Sequence, residues 1–112
     1  MNISILGTGV YGLSMAIALS KNKNNKITMW TESSDNIKRF EDYKKHGIDA
    51  FNGIKVPKSI NITDSYETAL KEAQIVFIMC AAKYVSSVSK DMKPYINKNQ
   101  IYYSVSKLIP TS

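Results

Sequence analysis

The 112-residue sequence has one cysteine (Cys80), one histidine (His46), one tryptophan (Trp30) and three prolines. A single thiol excludes an internal disulfide framework and a Cys-based zinc site, so a reducing, cytoplasmic setting is the simpler expectation. No metal is expected, because paired metal-ligand spacings are missing. A nucleophile-His-acid constellation is missing too, which leaves hydrolase readings without support. The apolar stretches are all interrupted well short of a membrane span, and no basic segment leads into an apolar run with a small-residue cleavage site. Neither a membrane span nor secretion is expected. Repeats, low-complexity blocks and internal linkers are also missing, so residues 1–112 read as one domain.

What is present is an ordinary globular composition, 44% hydrophobic and 21% charged. A chain of this length buries roughly two thirds of its unfolded surface, enough for a core without staples. Fifteen basic residues against nine acidic ones give +6, which raises the question of anionic partners. The distribution argues against nucleic acid. Fourteen of the fifteen are lysines, spread from Lys21 to Lys107 over several helices and loops rather than gathered with aromatics on one surface. They read as a solvated surface.

Along the chain, short β-branched segments alternate with helical ones. Asn2–Leu6 reads as a buried strand, Val10–Ser20 as a helix apolar on most faces, and Ile27–Trp30 as a second strand. Ser34 or Asp35 can cap a helix carrying Ile37, Phe40 and Tyr43, which His46-Gly47 closes. Asn52-Gly53 and Pro57 mark a connection, and Ile60–Thr63 is a short strand at most. Asp64 with Glu67 forms a capping-box pattern ahead of the stripe Tyr66, Ala69, Leu70, Ala73. Ile75–Cys80 is the next buried strand, with Cys80 read as a packed thiol. Tyr84, Val85, Val88 and Met92 outline a helix, and Gln100–Val105 is a final strand. The alternation predicts an α/β fold: a doubly wound parallel sheet, Rossmann-like, stopping after about five strands.

Gly7-Thr8-Gly9-Val10-Tyr11-Gly12 is a G-x-G-x-x-G motif. The pattern alone is weak, but here it follows a strand directly, opens a helix and forms the first βα turn. That is the context a dinucleotide-binding loop requires. Gly7 allows the tight turn, Gly9 the approach of a pyrophosphate to the backbone, and Gly12 close helix-strand packing, while the free amides at the helix start face the phosphates. The same fingerprint asks for an acidic residue about twenty positions on, to bind ribose hydroxyls. Glu32 stands there. It reads equally as an ordinary surface glutamate. His46 suits a helix end as a cation, and Trp30 reads as packing at a strand end.

With these residues in place the sequence resembles the N-terminal domain of the NAD(P)-dependent glycerol-3-phosphate dehydrogenases through essentially its whole length. Gly7 to Gly12 with Ser14 to Ala18 resembles the family's glycine loop and small-residue helix, and Thr28-Met29-Trp30 its second strand. Phe51-Asn52-Gly53-Ile54-Lys55-Val56-Pro57 resembles its Tyr-Leu-Pro-Gly-x-Lys-Leu-Pro segment, the most discriminating match. Ser104-Val105-Ser106-Lys107 resembles the strand leading into its Thr-Lys-Gly signature. The resemblance implies an oxidoreductase of glycerophospholipid metabolism, interconverting sn-glycerol 3-phosphate and dihydroxyacetone phosphate by hydride transfer. It implies NAD as cofactor, with NADP as the alternative. Val10 and Tyr11 become cofactor contacts through the loop backbone, and Lys107 a contact to both cofactor and substrate. The chain departs from the family at Cys80-Ala81-Ala82, where Val-Pro-Ser is usual, at Leu108, which replaces the signature glycine, and at Glu32, where bacterial members often have an arginine.

The family's helical substrate domain is not among these residues, so the portion alone is expected to be inactive, with no catalytic residue assigned in it. A homo-oligomer is compatible with this reading. The alternative to an enzyme portion is a free-standing dinucleotide-binding module without catalysis, and behind it stands a basic nucleic-acid binder.

Overall fold

Side-chain alternation along the first strand decides how the layers form. In the computed structural model, which describes residues 1–47, 49–51, 53–80 and 82–104, β1 spans Asn2–Leu6. Its Ile3 and Ile5 point into one apolar cluster, while Ser4 and Leu6 face the opposite side of the sheet. A strand buried on both faces needs helices on both. The chain supplies them in order: α1 (Val10–Ser20), β2 (Lys26–Trp30), α2 (Ser34–His46), a small antiparallel hairpin of β3 (Asp49–Phe51) and β4 (Ile54–Lys55), then β5 (Asn61–Thr63). There follow α3 (Tyr66–Leu70), β6 (Ile75–Ile78), α4 (Ala82–Met92), a 3-10 turn at Lys93–Tyr95, and β7 (Ile101–Ser104).

Five strands form one parallel sheet in the order β5-β2-β1-β6-β7. Counting only these strands, the order is 3-2-1-4-5, the doubly wound arrangement of dinucleotide-binding domains. Ile5 pairs with Met29 on one side and Phe77 on the other, so the three central strands present one continuous apolar surface. On that surface α1 buries Leu13 and Ala16, and α2 buries Phe40, with Val56 and Ile60 from the segment after the hairpin. The opposite surface, carrying Leu6, Trp30, Val76 and Ile78, is covered by Ala69, Leu70 and Ala73 around α3 and by Val88 and Met92 of α4.

Several expected boundaries move by a residue or two, for identifiable reasons. Helix α2 is capped by Ser33, not by Ser34 or Asp35: the Ser33 hydroxyl accepts from the Asn36 amide at 3.2 Å. Its other end closes as expected on Gly47, in the left-handed conformation at φ 64°. Ser65, not Asp64, caps α3, accepting from the Thr68 amide at 3.1 Å. That helix is only five residues long, after which the chain returns to the sheet. The Gln74 amide donates to the Asn2 carbonyl at 2.8 Å, and its side-chain oxygen accepts from the Asn2 amide at 2.9 Å. Strand β6 ends at Ile78 rather than Cys80, and the connection around Gly53 includes the β3-β4 hairpin. The final strand is β7, Ile101–Ser104; Val105 lies outside the described residues.

Among the described residues no helix is long and apolar enough to cross a membrane, and no cluster of three His, Cys, Asp or Glu side chains could hold a metal ion. Ile5 is fully buried at the middle of the central strand. Ile5→Ala is expected to cost about 2–5 kcal/mol of stability, read as a lowered urea midpoint with an unchanged slope.

Candidate functional site

The glycine loop joins the end of β1 to the start of α1 where the strand order reverses, with β2 on one side of β1 and β6 on the other. Ligands of open α/β sheets bind in the crevice outside the carboxyl ends of the strands at such a point. Two hydrogen bonds fix the loop's base: the Gly7 amide donates to the Trp30 carbonyl at 2.8 Å, and the Met79 amide to the Leu6 carbonyl at 2.9 Å.

The three glycines meet different constraints. Gly7 has φ 136°, and a Cβ there would lie 2.9 Å from the Met79 carbonyl carbon and 3.0 Å from the Cys80 nitrogen. Only glycine fits that approach to the end of β6. At Gly12 a Cβ would lie 2.9 Å from the Gly7 carbonyl oxygen and 3.5 Å from the Ile5 side chain, so the helix rests directly on the loop. Gly9 differs, since a Cβ there would meet nothing within 4 Å. The space in front of Gly9 is what a diphosphate needs to approach the backbone. Gly9 is also the N-cap of α1 and offers no side-chain acceptor, and the first turn carries no acidic residue. The first amides of α1 therefore keep their capacity to bind an anion.

A cleft of about 270 Å³ opens beside the loop, lined by Gly7, Thr8 and Gly9, by Trp30 at the end of β2 with Thr31 and Glu32 after it, by Met79 and Cys80 after β6, and by one side of α4. Trp30 stacks on Tyr66 with ring centroids 4.3 Å apart, a flat aromatic wall, and its indole N–H donates to the Asp64 carbonyl at 3.0 Å. Burial, and after it the charges of Asp91, Glu32 and Cys80, pushes the Tyr66 phenol up to about 12. Burial likewise pushes the Cys80 thiol up, with Glu32 adding to it. A thiol held protonated is a poor nucleophile, so Cys80 serves as a half-buried wall residue. The Asn36 side-chain amide donates to Thr8 Oγ1 at 3.2 Å and to Thr31 Oγ1 at 3.4 Å, tying the glycine loop to the segment after β2. A larger cavity, about 550 Å³, lies at the other end of the sheet around Asn2, Lys26 and Asn61. It is remote from the glycine loop, and the smaller cleft is the one that combines loop, switch point and aromatic wall.

Of the residues singled out in the sequence, Gly7, Gly9 and Glu32 line this cleft and Gly12 supports it from within. Val10 and Tyr11 stand exposed on the first turn of α1 beside the cleft rather than in its wall. Lys107 lies outside the described residues. The sequence reading missed Tyr66, Tyr84, Ser87 and Asp91 as site residues. The last three fall, with Val88, at helical spacing along α4, a stripe legible only once the helix has been placed against the strand ends.

Residues 2–112 match the family described as NAD-dependent glycerol-3-phosphate dehydrogenase N-terminus. The chain belongs to this family. Among curated relatives, the glycerol-3-phosphate dehydrogenase [NAD(P)+] of Fusobacterium nucleatum is 31% identical over 107 residues, covering 96% of this chain and 31% of the relative. The corresponding protein of Thermoanaerobacter sp. (strain X514) is 29% identical over 114 residues, covering 100% of this chain and 33% of its own length. The chain thus spans about a third of the curated relatives it matches. Among solved structures, glycerol-3-phosphate dehydrogenase from Coxiella burnetii superposes with a TM-score of 0.79 at 20% identity, over 92% of this chain and 31% of that one. An octopine dehydrogenase in complex with NADH and agmatine gives 0.73 at 17% identity, over 94% and 28%. These likenesses show the fold of a dehydrogenase Rossmann domain.

In this domain, the glycine contacts predict a change of sign. An uncrowded helical glycine gains about 0.5–1 kcal/mol on replacement by alanine. Gly12→Ala is expected instead to lose about 1–3 kcal/mol, because its methyl group meets the Gly7 carbonyl. Gly9→Ser, a good N-cap facing open space, should stay within about 0.5 kcal/mol of wild type in the same urea titration.

Proposed function

We propose that this chain is the NAD(P)-binding portion of an enzyme that interconverts sn-glycerol 3-phosphate and dihydroxyacetone phosphate. The observation that carries the reading is the open backbone at Gly9, at the switch point of the sheet, in a chain whose family is described by this dehydrogenase activity. When bound, the nicotinamide supplies the hydride acceptor or donor. The chain's own residues hold the dinucleotide. The amides of Val10 and Tyr11 meet the pyrophosphate, the Trp30–Tyr66 wall packs the adenosine end, and Glu32 accepts from the ribose hydroxyls, favouring NAD over NADP. Lys107 is assigned the contact to cofactor and substrate that the family signature implies. An ammonium there attracts substrate oxygens or phosphate.

Substrate binding and proton transfer are assigned to the part of the relatives that this chain does not span. Hydride transfer needs substrate held at near-attack distance from the cofactor, which takes a second wall. The small-molecule substrate and the free Cys80 thiol both suit a cytoplasmic enzyme.

Three measurements check this. The 112-residue chain should quench Trp30 fluorescence on titration with NAD and show no turnover of glycerol 3-phosphate. Gly9→Val, which fills the open space, should weaken NAD binding by at least about tenfold while helix content stays constant. In a full-length protein carrying this sequence, Lys107→Ala should lower kcat/KM far more than the stability change of under about 0.5 kcal/mol usual for a surface lysine. Turnover by the isolated chain, wild-type binding in Gly9→Val, or unchanged kcat/KM in Lys107→Ala would each contradict the corresponding assignment.

A further inference from the structure

The charge of the cleft runs against the charge of the chain. The protein carries +6, yet the described side chains lining the 270 Å³ cleft include two carboxylates, Glu32 and Asp91, and no lysine or arginine. The two acids come from different elements, Glu32 from the segment after β2 and Asp91 from the last turn of α4. Tyr66, which lines the same cleft stacked on Trp30, feels both charges. The Lys83 ammonium, beyond the lining, sits over the ring of the lining residue Tyr84, 5.0 Å from its centroid.

We propose that Asp91 is a second specificity-determining residue of this cleft, acting with Glu32 to reject a dinucleotide that bears a 2′-phosphate. The inference rests on the cofactor reading above and goes beyond it in one respect: the selectivity is held by acids from two elements rather than by the single acid after β2. A phosphate monoester carries roughly −1.5 to −2 charges at neutral pH, whereas the free 2′-hydroxyl carries none. Glu32 and Asp91 line one and the same cleft, and charges that share a cleft with a bound anion are only partly screened where the Debye length is about 8 Å. With an acid from each element in the lining, a phosphate there meets two like charges rather than one. The glycine loop still accepts the pyrophosphate, because the first amides of α1 carry the positive end of the helix dipole and no acidic residue stands in that first turn. Replacing Glu32 alone therefore leaves half of the barrier in place.

The test measures dissociation constants for NAD and NADP by quenching of Trp30, the sole tryptophan and itself part of the cleft wall. Wild type, Glu32→Gln, Asp91→Asn, the double variant and the control Glu41→Gln are compared. Glu41 lies on α2 beside Lys44, outside the cleft. Asp91→Asn should move the NAD/NADP preference towards NADP by about three- to tenfold, and the double variant further than either single one. Glu41→Gln should leave the preference unchanged. Raising salt from about 0.05 to 0.5 M should narrow the wild-type preference and have less effect on the double variant. An Asp91→Asn preference equal to that of Glu41→Gln, with NAD still bound, overturns the inference and leaves the cofactor reading standing. Failure of wild type to bind either nucleotide overturns the cofactor reading and the inference together.

Discussion

The glycine loop leaves no room for a Cβ at Gly12, where one would lie 2.9 Å from the carbonyl oxygen of Gly7, and the rest of the domain is arranged around that close approach. The approach exists because neither residue has a side chain. A Cβ on Gly12 would press on Gly7, and one on Gly7 would press on the backbone of Met79 and Cys80. Two glycines thus let a helix, a loop and the end of a neighbouring strand share a space that side chains would otherwise fill. The consequence is directional. The start of α1 then follows directly on the carboxyl end of β1, at the place where the strand order reverses between β2 and β6.

The two faces of the sheet then divide the work. The face under α1 and α2 is uniformly apolar, with Ile3, Ile5, Ile27 and Met29 packed beneath Leu13, Ala16 and Phe40. The other face mixes packing with polar function. Ser4 is buried there and donates to the Ala69 carbonyl, and Trp30 packs against Tyr66 while its indole N–H reaches the Asp64 carbonyl. An aromatic that is both buried and hydrogen-bonded makes a rigid wall. The cleft has such a wall on one side and α4 on the other, with a polar clamp from Asn36 to Thr8 and Thr31 holding the loop to the segment after β2.

Much of this was legible in the sequence, and the reasons are local. The first strand, α1 and the Gly47 stop of α2 carry strong period and turn signals within a few residues. Those signals also place Gly7, Gly9 and Gly12. The capping residues were misplaced because Ser33, Ser34 and Asp35, like Asp64 and Ser65, are adjacent competent caps, and the backbone register decides between them. The entry to β6 is tied by Gln74 bonding to Asn2, a contact 72 residues apart in the chain that no local window contains. Asp91 and Ser87 went unread, and Tyr84 was read only as outlining a helix, for a similar reason. Their spacing marks one side of a helix, but only the packing of α4 shows that this side meets the glycine loop rather than solvent.

The central claim is that the diphosphate of a dinucleotide lies on the start of α1. Backbone amide chemical shifts of the isotopically labelled chain, recorded while NAD is added, test it most directly. The account predicts the largest shifts at Gly9, Val10 and Tyr11, with smaller ones at Thr31, Glu32 and Cys80 and the Trp30 indole. Shifts gathered instead around Asn2, Lys26 and Asn61, at the cavity on the opposite end of the sheet, or no shifts at millimolar NAD, would contradict it.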